Sequence, residues 1–105
     1  MYMGSYRFDG DPDQLLAGYD RMMDSFPPEM LLVHVCVGRA DGITIFDSCP
    51  SEAEFRRFST SPEFRGALAA AGLPDPVVDP IGVVHLARGT PERTAKQVQE
   101  MLDLR

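Results

Sequence analysis

The sequence predicts one α+β domain in which strands and helices alternate. Three observations carry that prediction. Stretches with period-two or continuous apolar character alternate with stretches whose apolar residues recur at helical spacing. The junctions between them carry turn or cap signals, among them Asp9-Gly10, Pro27-Pro28, Asp41-Gly42 and Gly72-Leu73-Pro74. The chain has 105 residues, of which 44% are hydrophobic and 25% charged, the ordinary make-up of a single globular domain.

Taken in order, Tyr2 to Phe8 alternates and reads as a first strand, ended by Asp9-Gly10. Asp11-Pro12-Asp13-Gln14 opens a helix, with Asp11 as cap, Pro12 at the first helical position and Gln14 closing a capping box. Leu15, Leu16, Tyr19, Met22, Met23 and Phe26 form its apolar stripe, and Pro27-Pro28 stops it. Met30 to Val37 and Gly42 to Ser48 read as two strands. The Asp41-Gly42 pair between them suggests a tight hairpin turn with positive φ at both central residues. A second helical region starts at Pro50 with Ser51 as cap, and Glu54 reaches back as its reciprocal partner. Ser61-Pro62-Glu63 restarts a helix that carries Phe64, Leu68 and Ala71, and Gly72 ends it in the left-handed conformation. Val77 to Ala87 is β-like, with an edge or a bend at Pro80. Thr90-Pro91-Glu92 caps a final helix with Val98, Met101 and Leu102 on one side. The order β-α-β-β-α-β is the split βαβ, ferredoxin-like arrangement, expected over residues 1–88, with 89–105 as a C-terminal helical extension.

Hairpin parity sorts the side chains into two faces. A two-residue loop at Asp41-Gly42 sets His34 opposite Cys49 and Cys36 opposite Asp47. A four-residue loop, Arg39 to Gly42, sets His34 opposite Asp47. In both, His34, Cys36, Ile43, Ile45, Asp47 and Cys49 share one face, and Leu31, Val33, Val35, Val37, Thr44, Phe46 and Ser48 share the other. Both faces are apolar enough to need cover, while the helices shelter only one. A homodimer that presses two sheets together is the economical answer.

At this point the chain resembles the dimeric α+β barrel superfamily, which includes the antibiotic-biosynthesis-monooxygenase-like domains. The element order carries the resemblance. So does the run Ile43-Thr44-Ile45-Phe46-Asp47-Ser48-Cys49-Pro50-Ser51-Glu52-Ala53-Glu54-Phe55, where a strand leads straight into a Ser-x-x-Glu-x-Phe helix start. The resemblance covers roughly residues 2 to 88 and is to small bacterial members. It implies a homodimer with a pocket between sheet and helices. Relatives oxidise aromatic phenols without metal or flavin, bind or degrade haem, cyclise polyketides or isomerise small rings. The cofactor-free oxygenases use Asn and Trp near the pocket, and this chain has neither; Cys49 stands where relatives carry Trp. That departure weighs against oxygenase chemistry.

The candidate chemistry is then a small acid–base set. His34 beside Asp47 is a base with an orienting carboxylate, and Cys36 or His85 is a helper. The plainer account of the same residues is a buried His–Asp hydrogen bond that satisfies two polar groups. A zinc site from His34, Cys36, Asp47 and Cys49 is disfavoured, because residues spread along flat strands converge poorly on one ion. His85, placed in the fourth strand with Ile81, Val83 and Ala87, is either a core histidine or a haem ligand. Tyr6, Tyr19, Met22, Met23 and Phe55 either line a pocket for a flat ligand or simply fill the core. No Gly-x-Gly-x-x-Gly or phosphate loop is present, and no cofactor is expected.

Charge narrows the partners. Ten basic against sixteen acidic residues give −6, and the cations are scattered, so neither nucleic acid nor a membrane surface is expected. The start lacks a basic leader with an apolar run, so a cytoplasmic protein with reduced Cys36 and Cys49 is expected. The leading expectation is a homodimeric protein that binds a small apolar or aromatic molecule, with isomerase/cyclase or monooxygenase-like activity as its enzymatic form. The competing readings are a non-catalytic dimeric module and a haem-binding protein. A core without a cavity of about 300 Å³ favours the module.

Overall fold

The computed structural model describes residues 1–26 and 33–88, together with 99, 100, 102 and 103. It shows β1 (Tyr2–Asp9), α1 (Pro12–Met23), β2 (His34–Arg39), β3 (Gly42–Cys49), α2 (Glu52–Ser59), α3 (Pro62–Ala71) and β4 (Val77–Val83). The chain is α+β. Its four strands form one antiparallel sheet in the order β2-β3-β1-β4, which is the order of two interleaved split βαβ units. The expected C-terminal helix falls mostly on residues outside those described.

Most helix signals act as expected. The hydroxyl of Ser51 accepts from the Glu54 amide and that of Ser61 from the Phe64 amide, both at 3.2 Å. Glu54 does not reach back, however; its carboxylate pairs with Arg57 one turn on. Gly72 ends α3 at φ +74°, where a side chain would be strained. Two expectations for α1 need correction. Asp11 occupies the cap position without a side-chain hydrogen bond, so the box with Gln14 does not form. Pro12 already removes one orphan donor and the first turn is exposed, so water can serve the rest. The helix also ends at Met23, and Phe26 follows in a turn.

The hairpin is also corrected. Arg39 pairs with Gly42, so the turn residues are Ala40 and Asp41, and neither has positive φ. This is the register that sets His34 opposite Asp47. Gly42 is there for proximity: a Cβ would lie 2.1 Å from the Phe8 carbonyl oxygen. The Arg39 guanidinium closes the turn, donating to Phe8 O at 3.0 Å, Thr44 Oγ1 at 3.0 Å and Asp41 Oδ1 at 2.7 Å. At the far end Ser48 Oγ accepts from the Val33 amide at 2.8 Å and donates to the Val33 carbonyl at 3.1 Å.

All three helices of the described residues lie on the sheet face that carries Tyr2, Tyr6, Phe8, Ile43 and Ile45, and these five form the core with Leu15, Met22, Phe55, Phe64, Leu68, Ala71 and Leu73. Phe55 sits where β1 has no side chain, at Gly4. On the opposite face Val35, 47% exposed, and Val37 lie together on the β2 edge and Val77, 51% exposed, lies on the β4 edge, while Ser5 on β1 and Ser48 on β3 are buried. On β4 the register shifts between Met3 and Gly4, which bulges this edge strand beside Pro80. The strand then ends at Val83, short of the expected Ala87. No helix among the described residues is long and apolar enough to cross a membrane.

Two glycines test this packing. A Cβ at Gly4 would lie 2.0 Å from the Phe55 ring, so Gly4→Ala should cost at least about 2 kcal/mol through overpacking. Gly66, in α3, has no atom within 4 Å of a built Cβ, so Gly66→Ala should add about 0.5–1 kcal/mol. Urea midpoints of the two variants check both signs; equal midpoints would contradict the packing.

Candidate functional site

A carboxylate on the inner face of a sheet needs a partner. Asp47 is 7% exposed, and its cross-strand neighbour is His34. His34 Nδ1 lies 3.3 Å from Asp47 Oδ1, and His34 Nε2 lies 2.7 Å from the Tyr19 hydroxyl. An ionised carboxylate only accepts, so Nδ1 carries the proton. In the neutral ring Nε2 is then the acceptor, and the Tyr19 O–H donates to it. Burial pushes the Tyr19 phenol up to about 12, so it keeps its proton at neutral pH. Three elements therefore supply one chain of hydrogen bonds: Tyr19 from α1, His34 from β2 and Asp47 from β3. The Tyr19 and His34 rings also stack, with centroids 5.8 Å apart.

This pair borders a cavity of about 40 Å³ between the sheet and the helices. Its apolar wall is Met22 and Met23 of α1, Phe26 after it, Ile45 of β3, Phe58 of α2 and Phe64 of α3. His34, Asp47 and Tyr6 of β1 also border it, through carbon atoms, so its accessible lining is apolar throughout. Water-sized space needs roughly 10–15 Å³ per molecule, so the cavity holds a few small-molecule atoms as it stands. Phe64 also borders a larger recess of about 220 Å³ toward β4. The charged groups there, Arg65 and Asp75, are 3.8 Å apart and well exposed, so they can pair through water.

The expected residues are distributed as follows. Tyr6, Met22, Met23, His34 and Asp47 meet at the cavity. Tyr19 stands behind His34 and is not in the wall. Phe55 is fully buried over Gly4, packed at tilted angles against Tyr2 and Tyr6, and serves the core. Cys36 is on the shared face opposite Ile45 but does not border the cavity. Burial and then the Asp20 charge push its thiol up to about 11, the reverse of what an activated thiolate needs. Cys49 is also raised, by burial and then by Asp47 and Glu54. The two cysteines are free. His85 requires correction: it lies beyond the end of β4, exposed, on the opposite edge of the sheet from His34. The bulge at Pro80 breaks the alternation that placed it on a strand face, and the pairing with β1 reaches only as far as the main-chain bond from Val84 N to Met1 O, 2.8 Å, among the described residues. Among the described residues, no three His, Cys, Asp or Glu side chains gather as a metal-holding group.

Phe58 and Phe64 are wall residues that the pocket expectation omitted. Phe58 is three residues beyond Phe55 on the same helical stripe, which was the available signal. Phe64 is in the next helix, and only the packing of α2 on α3 brings the two rings to 5.0 Å. No protein-family model matches the chain, and comparison with curated proteins finds no match.

Two measurements check this site. Asp47→Ala leaves the buried His34 N–H without its acceptor and should cost about 1–3 kcal/mol of stability; an unchanged urea midpoint would show that the bond is not made. In a Cys49→Ser background, alkylation of Cys36 should accelerate with pH through about 11. A half-maximal rate at or below pH 9 would show an exposed or activated thiol.

Proposed function

We propose that this protein binds a small, largely apolar molecule between α1 and the sheet and moves a proton on it without a cofactor. The observation that carries the reading is a His–Asp pair at the edge of an otherwise apolar cavity. Few polar groups in an apolar space is the usual make-up of a small-molecule site. The same pair inside a filled core would be structural only.

The geometry favours Asp47 over His34 as the group that meets the ligand. Nε2 of His34 is occupied by Tyr19, and Nδ1 by Asp47. Asp47 uses Oδ1 toward His34, and its Oδ2 makes no hydrogen bond among the described residues. A proton leaving the ligand would pass to Oδ2, with His34 as the positioning residue. This is isomerase- or cyclase-type chemistry, in which a carboxylate shuttles one proton. Met22 and Met23 suit a site whose ligand exceeds the resting space, because unbranched thioethers repack at little cost.

The outer sheet face supports a second part of the proposal, that two copies pair into a homodimeric α+β barrel. Val35 and Val37 of β2 are exposed there beside Phe46 of β3, and no helix among the described residues lies on that face. This matches the antibiotic-biosynthesis-monooxygenase-like superfamily that the sequence resembles. One observation favours a different reading. The 40 Å³ cavity is far below the roughly 300 Å³ of ordinary ligand sites, which suits a dimeric module with no substrate.

Three experiments test these readings. Small fragments should show saturation-transfer signals with the wild-type protein, and Met22→Trp, which fills the cavity, should abolish them. Bound fragments with acidic C–H groups should exchange hydrogen for deuterium in heavy water, and Asp47→Asn should reduce that rate by about 10²-fold or more. Binding without exchange would make the protein a carrier, and no binding would leave the substrate-free module. Sedimentation should give twice the 11.6 kDa chain mass, and Val35→Glu with Val37→Glu should halve it while the circular dichroism is kept. A wild-type monomer at high concentration would refute the barrel.

A further inference from the structure

The two edges of the sheet are not alike. β4 is guarded as edge strands usually are, by the bulge beside Pro80 and by the exposed Asp79. β2, the other edge, is paired from His34 to Arg39 without a register shift and holds no proline. Its one full charge, on Arg39, is engaged at the turn by Asp41, Thr44 and the Phe8 carbonyl. Ser48 N donates to Val33 O at 3.0 Å, so strand alternation gives the main-chain groups of residues 33, 35, 37 and 39 to β3. The N–H and C=O groups of His34, Cys36 and Gly38 therefore point away from the sheet, and nothing among the described residues pairs with them.

Gly38 draws attention to the same edge. A glycine inside a strand weakens it and marks a place where another chain comes close. Within this chain nothing requires it. Its φ is not positive, and a Cβ there would meet only Leu16 Cδ1, at an ordinary 3.7 Å. Gly38 is exposed, so the close approach comes from outside.

We infer that β2 joins β2 of a second copy, antiparallel about a two-fold axis at Cys36, so that one sheet runs through both chains. This rests on the proposed pairing of copies and names where their sheets join. The register follows from the free groups. Only residues 34, 36 and 38 can exchange bonds across the seam, and a two-fold axis makes each pair recur in reverse. Cys36 opposite the partner's Cys36, with His34 opposite the partner's Gly38, uses all of these groups, and any shift leaves some of them unpaired. Val35 then faces the partner's Val37 in the close, non-hydrogen-bonded position, with Cα atoms about 4.5 Å apart. The valines that each chain exposes, 47% and 41%, cover each other on both sides of the axis. His34 meets a residue with no side chain, so its ring keeps its bonds to Tyr19 and Asp47. A strand of another protein would satisfy the main chain equally, but β2 itself also supplies valines at the facing positions and a glycine opposite the imidazole.

The test uses the full chain with Cys36→Ser and Cys49→Ser, which leaves no native thiol. Val35→Cys and Val37→Cys chains in that background, refolded together and oxidised, should form a mixed disulfide dimer at least about tenfold faster than either forms its own, because only the unlike pair has Cα atoms within bridging distance. Gly38→Pro in the wild-type chain removes an N–H that makes no bond to β3. Its circular dichroism should be unchanged, while the dissociation constant of the dimer rises at least about tenfold. Should that variant unfold, the cross-linking decides alone. Disulfides formed as fast by one variant alone, or a dissociation constant indifferent to Gly38→Pro, would overturn the seam and leave the face-to-face pairing of copies standing. A wild-type monomer at high concentration would overturn the seam and the homodimer together, and leave this edge to a strand of another protein.

Discussion

An ionised carboxylate cannot sit on the inner face of a sheet without a proton donor within reach, and Asp47 occupies such a position. Its partner, His34, is available only in one register of the hairpin. A slip of one residue would bring an outer-face valine opposite Asp47 and turn the imidazole toward the outer face. Three devices hold that register. Arg39 ties the turn to β1, Gly42 lets the Phe8 carbonyl approach, and Ser48 ties down Val33 beside His34. Each is far from costly by itself, and together they keep one polar pair in place within an apolar layer.

The same layer sets what the molecule can do. Tyr19 holds the outer nitrogen of His34, so the imidazole is held at both ends. A histidine with two partners is a rigid support rather than a free base. The flexible part of the site is the opposite wall, where Met22, Met23 and Phe26 meet Phe58 and Phe64. In the proposed site, this fixed pair beside an adaptable apolar wall would suit ligands of different shape. The outer sheet face is separate from this. It concerns whether two copies associate, and the hydrogen-bonded chain from Tyr19 to Asp47 lies within one.

Much of this architecture is legible in the residues because local chemistry decides it. Ser51, Ser61 and Gly72 end or start helices through bonds within a few residues of themselves, so their types name their positions. The shared face of His34, Cys36 and Asp47 follows from strand parity alone. The hairpin turn was harder to read, since Asp41-Gly42 has the composition of a positive-φ turn while Gly42 is needed as a strand residue against Phe8. That contact is between β1 and β3, and no local pattern shows it. His85 was misplaced for a similar reason, because the bulge beside Pro80 comes from pairing with β1. In the site, the Asp47–His34 pair was visible, whereas Tyr19 as the partner of Nε2 and the Phe58–Phe64 wall depend on how α1, α2 and α3 settle on the sheet.

The protonation pattern of the His34 ring tests this account at its centre. Long-range ¹H–¹⁵N spectra of the neutral ring distinguish the two tautomers directly. The account predicts a protonated Nδ1, donated to Asp47, and an unprotonated Nε2 with the shift of a hydrogen-bond acceptor. The same spectrum of Asp47→Ala, which removes the acceptor, should lose that preference. A neutral His34 with its proton on Nε2 in the wild type would contradict it, because the Asp47 carboxylate would then be buried without a donor from the histidine.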